Sequence, residues 1–119
     1  VEHVKNLLIK LELPFRIVRL CGGDLGFTSA LTYDFEVYAM GQNKWLEVSS
    51  VSNFESFQSN RLNLKIDFGD KKRYCAHTLN GSSLALPRIV ACILENFQEK
   101  DHIKIPEILH KYTGFKQIK

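Results

Sequence analysis

The chain has 119 residues, of which 45% are hydrophobic and 11% aromatic, and its formal net charge is +3. This length favours a single domain around one hydrophobic core. The charge is too small, without a dense basic block, to indicate a nucleic-acid-binding protein, and the run "DKKRY" is typical of solvated surface. No apolar run approaches membrane-spanning length and no signal-peptide pattern is visible, so we expect no membrane association.

Three cysteines, Cys21, Cys75 and Cys92, are odd in number and lie far apart in the chain. Their spacing fits no common metal site, so we expect reduced thiols and a cytoplasmic location. The sequence begins within a helical pattern and without an initiator Met. We therefore expect the chain to be a piece of a longer protein.

The first half of the chain predicts one helix and three strands. Apolar residues at helical spacing indicate a helix over 1–12, which Pro14 ends. The alternating segment 15–21 predicts a strand, and the glycine-rich "GGDLGFTSA" after it predicts a loop. Segments 33–41 and 44–51 alternate on either side of a short turn, which indicates an antiparallel hairpin.

The second half adds helices and a further hairpin. A short helix is predicted over 53–61, with Ser52 or Asn53 as its N-cap. Two strand-like segments flank "GDKK", and a long helix follows over about 83–98. This helix is apolar over more than one stripe, so we expect it to be buried on most sides. Pro106 begins a short terminal helix. The order predicts an α+β domain with a mainly antiparallel sheet.

Several polar clusters admit both a structural and a functional interpretation. The segment "CGGDLGF" is typical of a turn, although its backbone N–H groups could also bind phosphate. Asp34 and Glu36 share one strand face, which suits a cation or an acid–base pair but is also typical of a solvent face. The segment "LEVSSVSN" offers a carboxylate and several side-chain oxygens, the ligands that Mg²⁺ prefers.

Arg88 stands near the start of the long helix, where the helix dipole disfavours a cation by up to about 1 kcal/mol. An anion bound at the same place would explain this position, because the helix N-terminus and the guanidinium would bind it together. The alternative is a side chain that extends to solvent or pairs with a carboxylate. The residues alone leave both interpretations open.

Four segments resemble one family. "HTLNGSSLALPRIVACILENFQ" is similar to motif 3 of the class II aminoacyl-tRNA synthetases and, within that class, to the seryl-tRNA synthetases. "CGGDLGFTSALTYDFEVY", "QNKWLEVSSVSNFESFQSNRLNLK" and "IPEILHKYTGF" resemble further segments of the same family. They cover nearly all of the chain in the family's order. The implied fold is a partial class II catalytic domain, with its antiparallel sheet packed by the motif 3 helix.

The resemblance implies roles around ATP, serine and Mg²⁺. Arg88 matches the catalytic arginine that holds the ATP phosphates. Glu47 and Ser50 match the pair that binds Mg²⁺ and ATP, and Val48 and Ser49 match the ATP-binding strand between them. Strict strand alternation would put Glu47 and Ser50 on opposite faces, so a shared metal requires the strand to end or bulge near Ser49.

Other positions match the family less directly. Asn80 and Ser82 match residues that line the serine pocket, whereas Asp34 and Glu36 match acidic positions bordering the site, with no direct role assigned. Two departures concern residues outside these sets. Asn60 replaces the first of two arginines that follow "FQ", leaving Arg61, and Leu31 replaces a lysine before "TYD".

The resemblance covers the C-terminal half of the catalytic domain, residues 1–119. The family's tRNA-binding arm, motif 1 and motif 2 have no counterpart in this chain. The implied complete enzyme is a homodimer that activates serine with ATP and transfers it to tRNA(Ser), and we expect the 119 residues alone to be inactive. The alternatives are a non-catalytic paralogue with a binding or regulatory role and a free-standing small ligand-binding domain.

Overall fold

The main sheet of the protein has four antiparallel strands, which are in spatial order Phe15–Arg19, Leu31–Ala39, Lys44–Glu55 and Thr78–Gly81. The computed structural model describes residues 1–119. Its helices and strands, in chain order, are α1 Glu2–Lys10, β1 Phe15–Arg19, β2 Leu31–Ala39, β3 Lys44–Glu55, α2 Phe57–Leu62, β4 Lys65–Asp67, β5 Arg73–Cys75, β6 Thr78–Gly81, α3 Leu86–Asn96, β7 Ile103–Lys104, α4 His110–Thr113 and β8 Gln117–Ile118. The predicted α+β class and its antiparallel sheet are confirmed.

One face of the sheet packs against α1 and α3. Leu8 of α1, Phe35 and Val37 of β2, Val48 of β3 and Cys92 of α3 are all fully buried in one core cluster. The strand residues alternate because successive side chains point to opposite faces. Burial of each large apolar side chain here contributes about 1.5–3 kcal/mol. This core holds α3 in place, so its N-terminus has a fixed position beside β3.

Helix α3 is shorter and less buried than the sequence predicts. Ile89, Cys92 and Ile93 form its buried stripe, whereas Leu86 is 69% and Val90 is 50% exposed. The expectation of burial on most sides is therefore wrong. The sheet covers one stripe only, because no other element of the chain lies over the outer side of the helix.

Strand β3 runs to Glu55, beyond its predicted end at 51, because β6 pairs with its last residues. The chain leaves the sheet at Glu55, where φ is 45°. The following helix, α2, therefore begins at Phe57 with Ser56 as its N-cap. The predicted caps, Ser52 and Asn53, lie in the strand instead.

The two remaining predicted elements divide into shorter ones. The segment after "GDKK" splits into β5, which pairs with β4, and β6, which joins the main sheet. The terminal helix forms as a 3-10 turn over Glu107–Leu109 and then α4, with Pro106 as the N-cap of the turn. Strands β7 and β8 pair with each other, and the sequence did not predict them. None of the helices is both long and apolar enough to cross a membrane.

Candidate functional site

A bulge interrupts β3 at the segment that carries most of the predicted site residues. Glu36 of β2 lies opposite Glu47, and its neighbour Phe35 lies opposite Ser49, which leaves Val48 without a partner. An extra residue of this kind locally disrupts the ladder and shifts the side-chain alternation by one position. The sequence analysis requires a strand end or a bulge near Ser49 if Glu47 and Ser50 are to share a metal. The structure has a bulge at this place.

The bulge brings Glu47 and Ser50 to the same face of the sheet. Ser50 lies opposite Asp34, and Glu47 lies opposite Glu36. Asp34 and Glu36 are two residues apart on a regular strand, so their side chains share a face. Directly opposed residues of an antiparallel pair also share a face. The face that results is the one opposite the buried core, and we call it the open face.

Val48 and Ser49 are buried next to each other at the bulge. Val48 is completely buried in the core, and Ser49 is 1% exposed. The Ser49 hydroxyl donates a hydrogen bond to the main-chain carbonyl oxygen of Ser82. The side chains of these two residues therefore belong to the core side, and only their main-chain atoms are available to a ligand.

Arg88 lies at the sheet edge, beside the bulge. Residues 44–50 of β3 have no strand on this side, because β6 pairs only from Val51 onward. The Ala85 amide donates to the Val48 carbonyl oxygen at 2.7 Å, and this bond docks the start of α3 on the edge. Arg88 Nη1 donates to the Glu47 carbonyl oxygen and lies 3.7 Å from Glu47 Oε1. The pairing of Arg88 with a carboxylate, one of the two interpretations from the sequence, is thus observed. The side chains of Arg88 and Glu47 are nevertheless 50% and 46% exposed, so other guanidinium N–H groups remain free for an anion.

The open face also carries an ion pair and an unpartnered carboxylate oxygen. Arg16 Nε lies 2.5 Å from Glu36 Oε2, and its guanidinium lies 4.4 Å from the centre of the Trp45 ring. This pair offsets the repulsion between the opposed carboxylates of Glu36 and Glu47. The Oδ1 atom of Asp34 is buried and has no hydrogen-bond partner. Such an atom is costly unless something donates to it or coordinates it.

The two predicted serine-pocket residues lie beside the same face. Asn80 of β6 lies opposite Ser52, two residues after Ser50 on regular strand, so it shares the open face. The Ser52 hydroxyl is 2.8 Å from that of Thr32, which fixes its position. Ser82 follows β6 directly, and its carbonyl oxygen holds the Ser49 hydroxyl. All the predicted site residues therefore lie along one stretch of β3 and its neighbours.

The donor set is compatible with a magnesium ion bound together with phosphate. No group of three or more His, Cys, Asp or Glu side chains is placed to hold a metal. Mg²⁺ does not need one, since it is commonly held by one or two carboxylates together with substrate phosphates and water. Glu47 and Ser50, on one face with the unpartnered Asp34 oxygen, offer such a partial set.

Sequence reasoning missed the part that β1 plays in the site. Arg16 reaches Glu36 because β1 pairs with β2 in a register that places the two residues opposite each other. The alternation within "FRIVR" puts Arg16 on one face, but only the register between strands says which carboxylate it meets. Trp45 was likewise unassigned, and it packs edge-to-face against Tyr38 with ring centres 5.2 Å apart.

Comparisons with known proteins show the family of the chain. Residues 1–97 match the family described as tRNA synthetase class II core domain (G, H, P, S and T). The chain is 52% identical over 115 residues to a serine–tRNA ligase of Finegoldia magna and 51% identical over 119 residues to one of Salinibacter ruber. These alignments cover 96% and 98% of the chain but only 27% and 28% of the relatives.

Solved structures give the same result. A seryl-tRNA synthetase of Pyrococcus horikoshii complexed with ATP is 44% identical, with a TM-score of 0.93 over 98% of this chain and 27% of its own. A cytoplasmic serine–tRNA ligase of Naegleria fowleri in complex with AMP is 30% identical, with a TM-score of 0.92 over 99% of this chain and 29% of its own. The chain therefore belongs to the family of tRNA synthetase class II core domains (G, H, P, S and T).

Proposed function

We propose that the chain is the C-terminal half of the catalytic domain of a serine–tRNA ligase. The complete protein would activate serine with ATP and pass the seryl group to tRNA(Ser). One observation carries the proposal: the β3 bulge puts Glu47 and Ser50 on one face, beside Arg88 at the helix start. The 51–52% identity to serine–tRNA ligases supports serine as the amino acid.

Arg88 is proposed to bind the ATP phosphates. Its guanidinium is anchored through Nη1 on the Glu47 carbonyl and is half exposed, so its other N–H groups can donate to phosphate oxygens. The start of α3 adds a favourable dipole at the same point. A cation that is unfavourable beside an empty helix N-terminus is thus favourable once a polyanion lies there.

Glu47 and Ser50 are proposed to hold Mg²⁺ with the phosphates, and the buried oxygen of Asp34 lies on the same face. The ion would neutralise phosphate charge when bound. The chain's own residues contribute position: the bulge fixes both ligands, and Arg16 holds Glu36 so that it does not compete as a second free carboxylate. Val48 and Ser49, whose side chains are buried, would meet ATP through main-chain atoms.

Asn80 and Ser82 are proposed to orient serine next to the α-phosphate. A serine carboxylate oxygen would attack the α-phosphorus while the bond to the β-phosphate oxygen breaks, giving seryl-adenylate and pyrophosphate. The reaction requires mainly alignment and charge neutralisation from the protein. Residues from β6 and α3 lie next to successive positions of β3, which supports that requirement.

The complete protein is further proposed to be a cytoplasmic homodimer with the remaining parts of the ATP and serine sites in its other residues. The alternative, a synthetase-like paralogue with a binding or regulatory role, would keep the fold without the reaction. Glu47 and Arg88 favour the enzyme, because both side chains lie outside the hydrophobic core and are about half exposed beside the bulge.

Serine-dependent ATP–pyrophosphate exchange tests the proposal. The complete natural protein should catalyse exchange with serine and not with glycine, threonine, proline or histidine, and should charge tRNA(Ser). Residues 1–119 alone should be inactive. Exchange with another amino acid, or ATP binding without exchange, would refute the assignment. Turnover by the 119 residues alone would refute only the proposal that the ATP and serine sites need residues outside them.

A further inference from the structure

Residues 63–75, which include β4 and β5, form a hairpin that stands away from the core, and we call this segment the basic hairpin. Every residue from 60 to 74 is exposed. A two-stranded hairpin with no packed face gains little from hydrophobic burial. Its composition is therefore not explained by the core of this chain, and its surface is accessible to a partner.

The charge of the basic hairpin is positive. It contains four cations and two carboxylates, so its net charge is +2, compared with +3 for the whole chain. The cations are Lys65, Lys71, Lys72 and Arg73. The sequence alone suggests ordinary solvated surface, but the structure concentrates this charge on one projecting element. Such a patch attracts polyanions.

The two carboxylates bond within the turn and form no salt bridge with the hairpin cations. Asp67 Oδ1 accepts the Gly69 amide at 2.8 Å, and Asp70 accepts the amide of Lys72 at 3.0 Å and the hydroxyl of Tyr74 at 2.7 Å. The four salt bridges of the chain all lie outside the hairpin. The side chains of Lys71, Lys72 and Arg73 form no hydrogen bond or salt bridge, so their charges are available for phosphate groups.

Two aromatic rings accompany these charges. Phe68 is 71% and Tyr74 is 42% exposed, and their ring centres lie 5.7 Å apart. Exposed aromatic rings between cations are typical of surfaces that bind single-stranded nucleic acid, since each base can stack on a ring while the cations follow the backbone.

The hairpin connects directly to the candidate site. Strand β5 leads within a few residues into β6, which carries Asn80, and β4 follows β3 through α2. The acceptor end of a tRNA must bring its terminal nucleotide to the seryl group near Asn80. The basic hairpin is joined to the same end of β3 and β6 as Asn80, so it is placed to meet the nucleotides that precede the terminal one.

We propose that the basic hairpin binds the acceptor-end backbone of the tRNA substrate, with Lys71, Lys72 and Arg73 on phosphates and Phe68 against a base. This proposal rests on the proposed function, because it takes tRNA to be the substrate. It assigns RNA, rather than another protein surface, as the partner, since the cations are unpaired and the aromatic rings are interleaved with them.

The test uses the complete natural protein with Lys71→Gln, Lys72→Gln and Arg73→Gln combined. The control is Lys100→Gln, Lys116→Gln and Lys119→Gln, which removes the same charge from exposed positions outside the hairpin. The hairpin variant should bind tRNA(Ser) transcript on the order of tenfold more weakly at low salt. The slope of log K against log salt should fall by about 1 for each phosphate that is no longer neutralised, and the control should keep the parent slope.

Further measurements separate the possible outcomes. Phe68→Leu should weaken tRNA binding by about fivefold or more without changing the salt slope. Serine-dependent ATP–pyrophosphate exchange should stay unchanged in every variant. If the parent protein shows no such exchange, the proposed function is refuted, and the result says nothing against the hairpin. Unchanged tRNA affinity and slope in the triple variant would overturn the assignment. A loss of thermal stability with normal tRNA binding would also overturn it and would indicate that protein covers the hairpin.

Discussion

Replacement of Arg88 by alanine should separate the functional from the structural role of this residue. The change removes one cation beside the start of α3 and leaves the buried stripe of that helix intact. It also removes the hydrogen bond to the Glu47 carbonyl oxygen and the 3.7 Å approach to the Glu47 carboxylate. We expect adenylate formation to fall much more than stability.

The two magnitudes follow from exposure and charge. Both partners of the ion pair are about half exposed, 50% and 46%, so solvent screening limits the pair to about 0–1 kcal/mol. The hydrogen bond adds about 1 kcal/mol, and the sum corresponds to a Tm shift of no more than about 8 °C in a large domain. Loss of one charged donor to the reacting phosphates costs about 10²–10³-fold in rate.

The assay is serine-dependent ATP–pyrophosphate exchange on the complete protein, with thermal denaturation measured on the same samples. Arg88→Lys keeps the charge but loses the planar fork, so its activity should fall between parent and alanine variant. Arg19→Ala, at an exposed position that forms no salt bridge, is the matched control and should resemble the parent. A large loss of Tm with a normal ATP KM would refute the catalytic role and make Arg88 a structural residue.

Three further predictions concern the fold. Leu8→Ala should lower the free energy of unfolding by about 2–5 kcal/mol in urea denaturation, because Leu8 is fully buried in the core; a reduction below about 1 kcal/mol would contradict that packing. Hydrogen bonds from the Gln42 side chain and the β2–β3 turn amides lower the pKa of Glu95. They therefore stabilise the fold at pH values above 4.5, the ordinary pKa of this carboxyl, and the stabilisation is lost as the pH falls through the lowered pKa. Glu95→Gln should therefore flatten the acid limb of a Tm–pH profile, and an unchanged limb would count against it. Burial raises the pKa of the Cys92 thiol. Iodoacetamide at about pH 8 should therefore modify the exposed Cys21 far faster than Cys92 in the native protein, and equal rates would disprove the burial of Cys92.

The sequence predicts most of the fold because local patterns determine its main elements. Alternation places Phe35 and Val37 on one face of β2 and Asp34 and Glu36 on the other, as observed. Pro14 and Pro106 mark element boundaries for the same kind of local reason. The family resemblance then names roles for residues that no spacing could assign.

Long-range pairing explains what the sequence could not predict. The end of β3 depends on its pairing with β6, which begins 23 residues further along the chain, counted from Glu55 to Thr78. Local patterns do not contain this pairing, so they predict the start of α2 too early. The pairing of Arg16 with Glu36 depends on strand register in the same way. The exposure of the outer side of helix α3 could not be predicted either. Burial depends on which other elements cover a helix, and the sequence of the helix does not give this information.

The bulge links the fold to the proposed chemistry. An uninterrupted β3 would present Glu47 and Ser50 to opposite faces, and its free edge at 44–50 would be open to another strand. The edge is covered instead by bonds from Ala85 and Arg88 to the carbonyl oxygens of Val48 and Glu47. The contacts that protect this edge therefore also hold the guanidinium beside the Glu47 carboxylate. Because Arg88 binds the edge through a main-chain oxygen as well as through the ion pair, Glu47→Gln should remove the carboxylate and the ion pair while the main-chain hydrogen bond keeps the arginine at the edge.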